Sequence, residues 1–232
     1  DVEAFEARLA NYVGTKYAVA LNSGTDALYL ALKAIGIGPG DEVAVPSRTF
    51  VATAKVVKQV GAEPVYYDID GKINLTQDMK AIMVVHIEGD MQSDMEKVLA
   101  IAKRRGIHVI EDAAQALGAS QNGIPAGSFG IAGCFSFYPA KILGAFGDAG
   151  GLTTNDEEVY KYVRDGRKHF KEDARDWGIN SRMDNLQAAI LNIRFLHLPG
   201  ILLRRAEIAR QYHVGLQDIG DLKLPPQSRE RV

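Results

Sequence analysis

Short, almost uninterrupted apolar runs alternate along this chain with segments whose apolar residues recur every three or four positions, and that alternation limits its fold more than any other feature. The runs Tyr17 to Leu21, Glu42 to Pro46, Pro64 to Tyr67, Ala81 to His86, His108 to Glu111 and Gly133 to Phe137 have the length of strands. Thr25 to Ile35, Thr49 to Val60 and Ser93 to Arg105 carry the helical spacing. A strand that is apolar at nearly every position must be covered on both faces, and helices between successive strands supply that cover. The pattern predicts an α/β fold of three layers, α/β/α, around a mostly parallel sheet. An amphipathic helix with Val2, Phe5, Leu9 and Val13 on one face precedes the first strand. Asn22 and Ser23 can cap the helix that follows it, and Gly36 to Asp41 (GIGPGD) breaks the chain before the second. From about Tyr160 the strands stop. Met183 to Leu196 places Leu186, Ile190 and Ile193 on one helix face, Pro199 and Gly200 punctuate the chain, and Ile201 to Leu216 begins another helix.

Composition narrows the function classes. The chain has 232 residues, 47% hydrophobic and 24% charged, which suffices for an ordinary core and excludes a disordered tail, a collagen-like fibre or a disulfide scaffold. At about 150 residues per domain, the length fits one large domain and part of another. Lys and Arg total 27 against 29 Asp and Glu, so nothing favours wrapping a nucleic acid. The longest apolar stretches, such as Ala81 to Val85, fall far short of the roughly 18 residues of a membrane span. Cys134 has no partner in the chain, which points to a reducing, cytoplasmic setting. The chain opens at Asp1 inside a helical pattern and stops in a polar, Pro-containing tail, so both ends are expected to be cut.

Ligands of open α/β sheets bind beyond the carboxyl ends of the strands, so the residues just after each strand belong together. Asn22-Ser23-Gly24-Thr25 opens a helix with small residues. Taken alone it reads as a plain cap, but its free N–H groups also suit a phosphate. Ser47-Arg48-Thr49-Phe50 puts an aromatic ring at the mouth of the sheet, where a core role is the commoner one. Glu111-Asp112-Ala113-Ala114-Gln115 ends an apolar run with two carboxylates, one of them expected as a surface cap and the other in a strong field. Adjacent strand residues point oppositely, which argues against a facing acid pair and hence against a hydrolase. Cys134 to Lys141 (CFSFYPAK) sends a lysine out of a buried strand into a run containing Gly144, Gly147, Gly150 and Gly151. An amine in such an apolar setting loses its proton more easily and can attack a carbonyl to form a Schiff base. Competing motifs are absent: Gly36 to Gly40 lacks the dinucleotide-binding spacing, and neither a Walker lysine nor a G-x-S-x-G elbow occurs. The five histidines are scattered without metal-ligand spacing, so no metal site is expected. His86 ends a strand, where it can pack or line a pocket.

A phosphate seat, an aromatic face, an acid and an amine are together what pyridoxal 5'-phosphate requires. The motifs SGTDAL (Ser23 to Leu28), GDEV (Gly40 to Val43), PSRTFVAT (Pro46 to Thr53), EDAAQ (Glu111 to Gln115), Ser136 to Lys141 and NSRMDNLQAA (Asn180 to Ala189) occur in order across nearly the whole chain. In them the chain resembles the DegT/DnrJ/StrS sugar aminotransferases, pyridoxal phosphate enzymes of fold type I with an aspartate-aminotransferase-like large domain.

That resemblance implies that Lys141 holds the cofactor as a Schiff base and moves the proton, that Asp112 pairs with the pyridine nitrogen, and that Gln115 sits near the ring hydroxyl. Gly24, Thr25 and Ser136 would hold the phosphate, Phe50 would stack on the ring, and Asn180 would reach the cofactor phosphate of a second subunit in a homodimer. The family reaction moves an amino group from L-glutamate to a keto group of a nucleotide-linked sugar, for surface polysaccharides or glycosylated natural products. Residues 1–13 are then an N-terminal helix, 14–196 the cofactor-binding large domain, and 197–232 a connecting helix and the start of a truncated small domain. Two departures stand out: GKINLTQDM, between Asp70 and Lys80, where relatives usually carry a helix, and His86 to Asp90 (HIEGD), where an aromatic-Gly-Gln version is commoner. Two alternatives accompany the resemblance. One is a sugar dehydratase, a kind of relative that replaces the lysine by histidine, so that Lys141 argues against it. The other is a non-catalytic regulatory member of the same fold.

Overall fold

The apolar runs pair into a seven-stranded sheet of order β1-β9-β8-β5-β4-β2-β3. The computed structural model describes residues 1–68, 76, 78–91, 94–172, 174 and 176–225. Its strands are β1 Tyr17–Leu21, β2 Glu42–Pro46, β3 Glu63–Tyr67, β4 Met79–Val85, β5 His108–Asp112, β8 Ala132–Ser136 and β9 Gly150–Thr154, with β6 Ser120–Gln121 and β7 Ile124–Pro125 forming a separate small hairpin. All neighbours from β8 to β3 pair in parallel, whereas β9 runs antiparallel to both β1 and β8. The helices are α1 Val2–Val13, α2 Gly24–Ala34, α3 Val51–Gln59, α4 Met95–Arg105, α5 Glu157–Gly166, α6 Asn185–Leu196 and α7 Leu198–Leu216. Most of the segment between Asp70 and Lys80, Ser93 of the fourth helical pattern and the tail from 226 lie outside the described residues.

Alternation along the strands distributes side chains to both faces. Val19 and Leu21 of β1, Val43 and Val45 of β2, and Met83 of β4 pack with α2, α3 and α5. Ala18 and Ala20 pack with α1 and α6 on the other face, where Ala44, Ile82 and Val109 meet α4. A sheet buried on both faces is what the continuous apolar runs required, and the three-layer α/β/α expectation holds.

One strand goes unmarked by the apolar runs, and one helix face differs from the one the spacing picks out. β9 has the sequence GGLTT, all five residues buried, although glycines ordinarily weaken a strand. Glycine is needed here because a Cβ at Gly150 would lie 2.1 Å from the carbonyl carbon of Ser23, and one at Gly151 would lie 3.1 Å from Leu9. On α6 the face shared by Leu186, Ile190 and Ile193 is not the packed one: Leu186 and Ile193 are 68% and 62% exposed, and the buried stripe is Ala188, Leu191 and Phe195. Phe195 meets Phe5 and Tyr12 edge-on, so the aromatic side chains of α1 decide which way α6 faces. Among the described residues no single helix is long and apolar enough to cross a membrane.

Candidate active site

A cavity of about 760 Å³ opens at the carboxyl ends of β1, β2, β4, β5 and β8, on the side where β9 begins. Its wall at β1 is the first turn of α2. Ser23 caps that helix, its Oγ accepting from the Asp26 amide at 3.1 Å, while leading N–H groups of any helix lack intrahelical acceptors. Gly24 and Thr25 line the cavity at this positive helix end, across from Ser136. The approach is close, since a Cβ at Gly24 would lie 3.0 Å from the Ser136 Cβ and 3.1 Å from the Phe135 carbonyl oxygen. Because Gly150 lies against Ser23 more tightly still, Gly150→Ala is expected to push the start of α2 off β9, at about 3 kcal/mol for the overpacking. Urea unfolding of this variant and its affinity for inorganic phosphate should both report the displacement.

Asp112 ends β5 at the cavity floor. Its Oδ2 accepts from Thr53 Oγ1 at 2.8 Å and its Oδ1 from the Ala114 amide at 3.2 Å. Burial pushes its pKa above the ordinary carboxylate range, while these hydrogen bonds and the electrostatic influence of His86 and Lys141 pull it partly back. A buried acid of this kind suits a cationic N–H placed before it.

Glu111 points to the other face, as the strand alternation requires, but neither carboxylate is the expected surface cap. Glu111 is fully buried. Its Oε1 accepts from the Phe129 and Gly130 amides at 2.7 and 2.8 Å, and its Oε2 accepts from the Gly127 amide at 2.8 Å and lies 2.9 Å from His86 Nε2. It therefore anchors the loop between β7 and β8 and fixes the His86 ring, which lines the cavity.

Lys141 reaches the cavity from the loop after β8, where its amide donates to the Tyr138 carbonyl at 2.8 Å in a tight turn. Among the described residues its ammonium has no ion-pair partner within 4.0 Å. Phe50, at the start of α3, is 66% exposed and lines the mouth instead of entering the core. Gln115 lines the cavity too, its Oε1 accepting from the Glu88 amide at 2.7 Å. Seven of the eight residues expected to hold the cofactor thus share one cavity: Gly24, Thr25, Phe50, Asp112, Gln115, Ser136 and Lys141. Asn180 does not line it; it is exposed and forms an isolated bridge with Lys168, its Oδ1 accepting from Arg182 Nε at 3.3 Å.

Three further residues have no role assigned from the sequence. Thr53, inside a quoted motif but without a role there, holds Asp112. Glu88, at φ +58°, is tied to Arg48 at 2.6 Å by the cavity mouth. Arg205 comes in from α7. The residues around the cavity fit an anionic group at α2, a flat ring beside Phe50, a cationic ring N–H at Asp112 and a carbonyl carbon at Lys141.

Known proteins resemble this chain over nearly its whole length. A pleiotropic regulatory protein of Geobacillus stearothermophilus is 42% identical over 97% of this chain and 64% of its own length. A UDP-N-acetyl-3-dehydro-alpha-D-glucosamine 3-aminotransferase of Acidithiobacillus ferrooxidans is 44% identical over 96% of this chain and 63% of its own. The crystal structure of S. venezuelae DesV in complex with a ketimine intermediate superposes with a TM-score of 0.92 at 40% identity, covering 99% of this chain and 65% of that one. The chain thus spans a little under two thirds of these curated relatives. The model of the DegT/DnrJ/EryC1/StrS aminotransferase family matches residues 1–232, and to that family the chain belongs.

Proposed function

We propose that the protein is a pyridoxal phosphate-dependent aminotransferase that moves an amino group from L-glutamate to a keto group of a nucleotide-linked sugar. The observation that carries this reading is that Lys141 and Asp112, 29 positions apart, line one cavity with the first turn of α2. Bound there, pyridoxal phosphate supplies an aldehyde for covalent attachment and an electron-withdrawing ring. Lys141 would hold the cofactor covalently through Nζ and, once that amine is free, would take and return the substrate proton. Asp112 holds a proton on the ring nitrogen, Thr53 orients its carboxylate, and Gln115 stands by the ring hydroxyl. Gly24, Thr25 and Ser136 hold the phosphate, and Phe50 covers the ring. Lys141 in the cavity favours amino transfer over dehydration.

The proposal extends to a cytoplasmic homodimer that serves polysaccharide or natural-product assembly, in which Asn180 serves the cofactor phosphate of the second subunit. Its exposure outside its own cavity supports that role. The division into residues 1–13, 14–196 and 197–232 belongs to the same proposal, supported by α7, where Leu198 alone is buried.

The full-length protein is expected to be yellow, to lose that colour with L-glutamate, and then to aminate members of a panel of nucleotide-linked 3-keto and 4-keto sugars. A colour that glutamate leaves unchanged would support a regulatory member instead. Protein in which mass spectrometry finds no pyridoxal phosphate would defeat the assignment of the site.

The buried carboxylate gives a separate pH test. Because burial raises the Asp112 pKa, the group favours the folded state when protonated, and this contribution is lost as pH rises from about 4 through the raised value. Asp112→Asn should therefore raise the thermal midpoint of cofactor-free protein at pH 7, with the gain vanishing below about pH 4. With pyridoxal phosphate present the order should reverse. An unchanged midpoint at both pH values would contradict the cost assigned to this carboxylate.

A further inference from the structure

Lys141 and Arg205 are the lysine and arginine side chains that line the cavity, and the proposed chemistry uses only the first. Arg205 sits on α7, next to an arginine in a different situation. Arg204 is paired with Glu207 along the helix at 2.7 Å, whereas no carboxylate among the described residues lies within 4.0 Å of the Arg205 guanidinium. The other charges nearby are committed or lie at the rim. Glu88 is held by Arg48, Asp112 is buried on Thr53, and Asp148 is exposed beside the start of β9. The anionic group of the cofactor has its own donors at α2 and Ser136. That leaves one arginine lining the cavity that substrates enter, its planar fork of donors without a carboxylate partner among the described residues.

We infer that Arg205 binds an anionic group of the substrate and thereby sets substrate affinity. The inference rests on the transamination reading and deepens it. Both proposed substrates carry paired anionic oxygens of the kind a guanidinium recognises, a carboxylate on the amino donor and a diphosphate on the nucleotide-linked sugar. Arg205 is exposed in the free chain, so a ligand that covers it would dry the pair and strengthen it.

The test uses the full-length, cofactor-loaded enzyme and the variants Arg205→Met and Arg205→Lys. Stopped-flow absorbance follows the reaction with L-glutamate and, separately, the reaction of the aminated enzyme with a keto sugar. Calorimetry measures the binding of UDP. Arg205→Met is expected to weaken at least one of the three affinities roughly tenfold to a hundredfold, the range for a charge-assisted contact, with little change in maximal rate and partial rescue by lysine. A loss confined to glutamate identifies the donor carboxylate as the ligand of Arg205, and a loss in the sugar and UDP arms identifies the diphosphate. A loss in every arm identifies an anion subsite that both substrates use in turn. The inference is overturned if all three affinities stay within about twofold of wild type. It is equally overturned if lysine rescues nothing while cofactor affinity falls in parallel. Wild-type enzyme that takes no amino group from glutamate would instead refute the transamination reading, and the UDP arm would then decide the role of Arg205.

Discussion

Lys141→Ala in the full-length protein is expected to abolish the visible absorbance and to lower amino transfer by roughly a thousandfold or more, because in the proposed chemistry one amine serves both as the covalent anchor and as the proton carrier. The position owes this to its setting. The strand before it is buried, the turn leading to it is fixed by the Lys141 amide donating to the Tyr138 carbonyl, and among the described residues no carboxylate lies within 4.0 Å of the ammonium. Gly144 keeps that turn tight, since a Cβ there would lie 2.4 Å from the Pro139 carbonyl oxygen. Lys141→Arg separates charge from nucleophile: it keeps a cation near Asp112 but has no amine able to lose its proton at neutral pH. Arg and Ala should therefore be equally inactive in transfer, while Arg should retain more of the phosphate affinity. Unchanged turnover in either variant would remove Lys141 from the chemistry.

The second large effect is on stability. Glu111→Ala is expected to destabilise the protein by about 3–5 kcal/mol, read from urea unfolding, because it strands three backbone N–H groups in a dry interior and removes a contact that holds the His86 ring. That is a large part of the total stability of an ordinary domain. Should Glu111→Ala fail to fold, Glu111→Gln supplies the measurement: its remaining oxygen can still accept from two amides, and its cost should be nearer about 2 kcal/mol. A loss under about 1 kcal/mol in both variants would mean that Glu111 does not anchor the loop. Asp112, one residue on, follows the opposite course, its removal relieving the cofactor-free protein. On the proposed function, neighbouring carboxylates divide the work of holding the fold and holding the ligand.

Much of this was legible in the sequence because burial on both sheet faces writes itself as continuous apolar runs, and the parallel order follows from the helices between them. That the first turn of α2, Asp112 and Lys141 belong to one site followed from reading strand ends together, whereas the roles of Phe50, Gln115 and Ser136 came from the resemblance to the aminotransferase family. What stayed hidden depends on contacts across the fold. Gly150 and Gly151 look like turn residues until Ser23 and Leu9 are seen against them. The two acids of β5 differ only in what the sheet brings to each side, a loop of amides for Glu111 and Thr53 for Asp112. The packed face of α6 is selected by Phe5 and Tyr12, about 180 residues earlier in the chain. Arg205 carries no local signal, since only the path of α7 brings it to the cavity.

The most direct measurement is borohydride reduction of the full-length, pyridoxal phosphate-loaded protein followed by peptide mapping. A pyridoxyl mass on the peptide containing Lys141, absent from Lys141→Ala, is the expected result. The same mass on a different lysine, or on none, would contradict the placing of that amine at the centre of the site.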